Sequence, residues 1–106
     1  RALKLRALAL RTEDRIEEAL DAWIAAAGSD PLDPEPPVVA ARLLVAAGRA
    51  NDARAVLESA IARMPKLPGL LVELARACEL AGEPALAAMA RSRADALVRA
   101  IRAPRP

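Results

Sequence analysis

Between Asn51 and Met64 the apolar residues Val56, Leu57, Ala60, Ile61 and Met64 recur at spacings of three and four, with Asp52 and Arg54 ahead of them and Glu58 and Ser59 between them. That spacing lays an apolar stripe along one side of a helix and leaves the other side to water, so it predicts a helix over Asn51–Arg63. The same rhythm continues through Leu86, Ala90, Ala94, Leu97, Val98 and Ile101. This second run follows a turn at Gly82 and begins at Pro84, which suits a first helical turn because its missing N–H would have no intrahelical partner there. Pro36 and Pro37 open another helix through Val38, Leu44 and Val45, and Gly48 ends it. Further helices are predicted over Leu70–Leu80, Leu3–Leu10 and Ile16–Ala27, the last with Asp14 and Glu17 spaced as a capping box behind the polar turn "RTEDR". Pro65 and Pro68 are read as stops behind Arg63. No stretch alternates Val or Ile with polar residues over a strand length, so the predicted class is all-α.

One fixed interval orders these helices. It separates Gly48 from Gly82, Pro31 from Pro65, Ala53 from Ala87 and Ala60 from Ala94, and one step back from the alanines lands on Ala19 and Ala26. Leu10, Leu44 and Cys78 share another phase, and Ala7, Ala41 and Ala75 a third. A repeat of about 34 residues, two helices per unit, predicts an α-solenoid in which each hairpin buries its apolar side against the next.

These residues carry a resemblance to the tetratricopeptide repeat family, which has a small residue where paired helices cross, a glycine at the turn and a proline after the second helix. The matching positions are Ala7, Ala19 and Ala26, then Ala41, Gly48, Ala53, Ala60 and Pro65, then Ala75, Gly82, Ala87 and Ala94. The chain departs from the family at Leu10, Leu44 and Cys78, where large aromatics are common, and at Asp14, which replaces a turn glycine. The resemblance implies three antiparallel hairpins at about 1–33, 34–67 and 68–101 in a right-handed superhelix, followed by a disordered tail at 102–106. It also implies a concave groove lined by the first helix of each pair. That places Lys4, Leu8 and Arg11 in the groove from the first unit, Val38, Arg42 and Val45 from the second, and Val72, Arg76 and Glu79 from the third.

The two ends of the array differ in pattern. Leu57, Ile61 and Met64 form an apolar edge, and one period later the same positions hold Arg91, Asp95 and Val98, an edge polar enough to face water at the end of a solenoid. Leu5 and Leu8 fall nearly opposite Leu3 and Leu10 on the first helix, which is then apolar on two sides. Either preceding repeats have been cut away, or Leu5 and Leu8 form a self-association edge and the chain pairs with a second copy.

Composition narrows the chemistry. The 106 residues suffice for one core and not for two, and with Trp23 as the single aromatic that core is built from Leu, Val, Ile and Ala. Arginine far outnumbers lysine in an alanine-rich chain, which reads as the coding bias of a GC-rich bacterial genome. The compartment stays open, with bacterial cytoplasm favoured over periplasm. The net charge of +2 and the lack of stacking aromatics argue against nucleic acid as a partner, and no apolar run is long enough for a membrane span. The chain has no histidine and a lone cysteine, so no disulfide, metal site or cofactor is expected. Cys78 and Trp23 read as core residues; Ser29, Ser59 and Ser92 have no nucleophile setting around them, and the scattered glycines form no phosphate loop.

The expected function is therefore a scaffold or adaptor, not an enzyme, that holds an extended or helical segment of a partner protein in the groove. Arg42 and Arg76, one period apart, would favour acidic residues in that segment. The alternative reading is a regulatory or substrate-presenting domain of a larger enzyme whose catalytic part precedes Arg1.

Overall fold

The computed structural model describes residues 16–103, which are all-helical with no strand among them. Five helices follow in order: α1 (Ile16–Ser29), α2 (Glu35–Ala46), α3 (Ala50–Arg63), α4 (Pro68–Leu80) and α5 (Pro84–Arg102). The helix expected over Leu3–Leu10, Asp14 of the capping box, and the site residues Lys4, Leu5, Leu8 and Arg11 lie outside the described residues, as do 104–106 of the expected tail. The period is visible in the backbone. α3 and α5 begin one period apart, at Ala50 and Pro84, and α2 and α4 end one period apart, at Ala46 and Leu80.

The turns that close α2 and α4 have the same hydrogen bonds. Gly48 and Gly82 stand at φ of 77° and 78°, in the left-handed region that disfavours a side chain. Behind the first, the N–H groups of Gly48 and Arg49 donate to the carbonyls of Val45 and Leu44 at 3.0 and 2.8 Å. Behind the second, Gly82 and Glu83 donate to Glu79 and Cys78 at 3.1 and 2.8 Å. This is the paired bonding of a Schellman cap, which satisfies carbonyls that a helix end otherwise leaves bare. Each turn reverses the chain, so α2 packs on α3 and α4 on α5.

Prolines set the helix starts. Pro36 and Pro37 occupy the first turn of α2, and Asp33 Oδ1 accepts the Glu35 N–H at 3.0 Å, one of the amides without an intrahelical partner. α3 ends at Arg63 because Met64 precedes Pro65 and takes a non-helical conformation, φ −131° and ψ 66°. Pro68, expected as a second stop, instead opens α4. The same ring that excludes proline from a helix interior suits it to the first helical position.

Two hairpins, α2–α3 and α4–α5, lie side by side through α3 against α4 and α2 against α4, and α1 packs on α2. The described helices span 51 × 32 × 17 Å. The core runs between them and is mostly small. Ala19, Ala26, Ala41, Ala53, Ala60, Ala75, Ala87 and Ala94 are all buried, together with Leu20, Leu44, Leu57, Leu70, Leu71 and Trp23. Helix axes come within about 8–10 Å only where the crossing side chains are short, so the alanines set the spacing. The leucines and Trp23 supply most of the buried area, each worth about 1.5–3 kcal/mol relative to exposure.

α5 departs from the expected stripe. Ala87, Ala90 and Ala94 are buried and Leu97 and Val98 half-buried, but Leu86 and Ile101 are exposed. Ile101 shares the phase of Ala94, yet α5 is 19 residues long against 13 for α4, and its last turns run past the start of the partner helix. Leu86 lies on the flank of the stripe, one residue before Ala87. The helix also carries on through Arg102, the first residue of the stretch expected to be a tail.

Candidate binding groove

Each turn of α2 and α4 brings residues three and four apart onto one face. α2 contributes Ala41, Arg42 and Val45, α4 contributes Glu73, Arg76 and Ala77, and Leu57 of α3 closes the bottom. Together they line a pocket of about 120 Å³, open on one side. Ala41, Leu57 and Ala77 are buried in the core, so the floor is apolar; the rim is charged.

The rim charges are not equivalent. The Arg42 guanidinium donates through Nε to Glu73 Oε1 at 3.1 Å and through Nη2 to the same oxygen at 2.5 Å. This bond and the carboxylate charge raise the Arg42 pKa above its already high ordinary value. The Glu73 side chain is only 16% exposed and the Arg42 side chain 61%, so the carboxylate is the inner partner and the guanidinium the outer one. Arg76 has no ion-pair partner among the described residues. Counting one cation and one anion as neutralised, the pocket retains a single positive charge.

Of the expected groove residues, Arg42, Val45 and Arg76 meet in this pocket. Val38 lies on the same helix, half-buried and packed on the core, and Val72 is 56% exposed on α4. Glu79 is committed elsewhere, since Arg91 of α5 donates to its carboxylate and holds it below the usual carboxylate range. Glu73 is not among the expected residues. It lies 31 residues after Arg42, which is one period less one helical turn, and in a stacked pair of helices that offset faces the side chains toward each other. Ala77 and Leu57 escape the sequence reading as lining residues because they also belong to the core.

A second, wider hollow of about 420 Å³ lies between α1 and α3, lined by Ile24, Pro37, Val56, Ser59 and Arg63 among others. Arg63 is fixed there, donating to the Ser59 hydroxyl at 3.0 Å and to the Pro31 carbonyl at 3.1 Å. Cys78 is a free, buried thiol whose pKa is raised by desolvation, against a smaller opposing pull from the charge of Arg54. Trp23 is fully buried, and its indole N–H has no acceptor among the described residues. Among the described residues there is no cluster of His, Cys, Asp or Glu placed to hold a metal ion, and no helix is long and apolar enough to cross a membrane.

No protein-family model matches the chain, and a comparison with curated proteins finds no match.

Proposed function

We propose that the chain is a protein-interaction module built from helical hairpins of the tetratricopeptide type, three in number, which holds a segment of a partner protein along the face formed by α2 and α4. The observation that carries this reading is the pocket in which Arg42 and Val45 of one hairpin meet Arg76 of the next over an apolar floor. Such a pocket offers what a peptide needs, an apolar recess for one side chain and a charged rim that fixes its register. The two Schellman turns support a repeat architecture, because equal turns one period apart place equal helix faces side by side. The module then works as a scaffold or adaptor without chemistry of its own.

Backbone amide shifts of the 15N-labelled chain, titrated with a randomised decapeptide library, test the reading. Shifts centred on Arg42, Glu73 and Arg76 are expected. Shifts confined to the outer faces of α1, α3 and α5, or none at all, would remove the groove as the functional surface.

A further inference from the structure

Glu73 divides the two groove arginines into one that is occupied and one that is available. Its carboxylate is mostly covered and already accepts both Arg42 bonds, whereas Arg76, on the same rim, has no ion-pair partner among the described residues. We propose that the groove selects segments in which one aliphatic residue adjoins one acidic residue, and that Glu73 sets this preference by holding Arg42. The inference rests on the groove reading above and specifies what that groove takes.

The volume fixes the first part of the pair. A cavity of about 150 Å³ admits benzene, so a recess of about 120 Å³ floored by Ala41, Leu57 and Ala77 takes one Leu, Ile or Met side chain and leaves part of a Trp indole outside. The rim fixes the second part. A carboxylate beside the anchor meets the planar donor fork of Arg76, which binds carboxylates bidentately. A lysine in its place meets the same cation with like charge, and finds Glu73 already taken. A second carboxylate approaches Glu73 itself and is repelled, because Arg42 has only the charge to neutralise one anion.

Short peptides with a single variable centre distinguish these claims, read by the same amide-shift titration. The reference is Gly-Ser-Gly-Leu-Glu-Gly-Ser-Gly, and the comparisons replace Leu-Glu with Gly-Glu, Trp-Glu, Leu-Gln, Leu-Lys and Leu-Glu-Glu. Loss of the aliphatic side chain is expected to weaken binding about tenfold, the contribution of one buried Leu-sized group. Changing Glu to Gln in the peptide, or Arg76→Gln in the protein, is expected to weaken it about fivefold, and the two changes together no further.

Two variants with opposite signs test Glu73. Glu73→Gln releases Arg42 and is expected to bind the Leu-Glu-Glu peptide several-fold tighter than the wild type, with Leu-Gln unchanged. Arg42→Gln leaves Glu73 uncompensated and is expected to bind Leu-Glu more weakly, so the claim stays testable if circular dichroism shows that one variant does not fold. Equal binding of Leu-Glu, Leu-Gln and Leu-Lys, or no change on Glu73→Gln and Arg42→Gln, would overturn the inference. If the randomised library still shifts the α2 and α4 amides in that case, the groove reading stands and only the preference falls. If those amides stay silent to every peptide, both fall.

Discussion

Glu79 and Arg91 are bonded across the last hairpin at the two positions where the hairpin before it has Val45 and Leu57, one period earlier. The earlier pair lines the junction with α4, Leu57 fully buried and Val45 half-buried. The later pair is exposed on both sides. The same site in the repeat is thus a joint in one unit and a solvated ion pair in the next. Restoring the joint should restore its use. Glu79→Val with Arg91→Leu is expected to make the chain self-associate, seen as a sedimentation coefficient that rises with concentration, while either single alanine change leaves melting almost unaltered because an exposed pair contributes little. A double variant that stays monomeric at high concentration would refute the equivalence of the two sites.

The glycines should divide into two classes. Gly48 and Gly82 sit at positive φ with open space around the missing Cβ, so alanine there meets strain and no clash. Each change is expected to cost about 1–2 kcal/mol. Gly28 lies inside α1 without positive φ and with equally open space, and Gly28→Ala is expected to be neutral or to stabilise by up to about 1 kcal/mol. Urea midpoints of the three variants decide the matter.

Ala53 and Ala60 are both fully buried on the face of α3 that meets its neighbours. Ala53→Leu or Ala60→Leu is expected to destabilise by about 1–3 kcal/mol through overpacking, since the helices would have to move apart to admit the side chain. Unchanged thermal melting of both would mean that the helix spacing is not set by these residues.

Trp23 combines a large apolar burial with an indole N–H that no described residue accepts. Trp23→Ala is expected to cost about 3–5 kcal/mol. Trp23→Phe should cost much less, because it keeps most of the ring volume and removes an N–H that finds no acceptor among the described residues. As the single aromatic, Trp23 also reports on its own surroundings, and its emission should be blue-shifted in the folded chain and move to the red in urea.

Cys78 should make stability depend on alkaline pH. Burial raises its folded pKa, so the folded chain holds the thiol proton more tightly than the unfolded chain does. The associated stability is whole below the ordinary thiol value of about 8.5 and is lost as pH rises through the raised folded value. The melting temperature is expected to fall as pH rises above the ordinary thiol value of about 8.5, and Cys78→Ala should flatten that slope whatever it does to the absolute value. A thiol reagent should label the native chain slowly; rapid labelling at neutral pH would contradict the buried setting.

What can be read in advance is whatever repeats. The turn at Gly48 recurs at Gly82 because no other residue tolerates that backbone as well, so the period shows in composition as well as in hydrogen bonds. Trp23 shares its phase with Leu57, which points it to the core, and both are fully buried. Pro68 misleads because proline is equally at home just after one helix and at the start of the next. Ile101 misleads because periodicity gives the direction of a side chain and not the length of the helix that would cover it. Phase locates the groove arginines, but the bond from Arg42 to Glu73 joins two helices in different hairpins. It depends on how far one hairpin is rotated against the next, which no local pattern encodes.

The described helices are only 17 Å deep along their shortest axis, less than two helix diameters of about 10–12 Å. No described residue is far from an edge, and α1 rests on α2 without touching the α4–α5 hairpin closely. Opening is therefore expected to begin at the flanks of the row and to reach its middle last. Amide exchange should then grade along the chain, with the slowest protons in α3 and the first half of α4, where helices are covered from both directions.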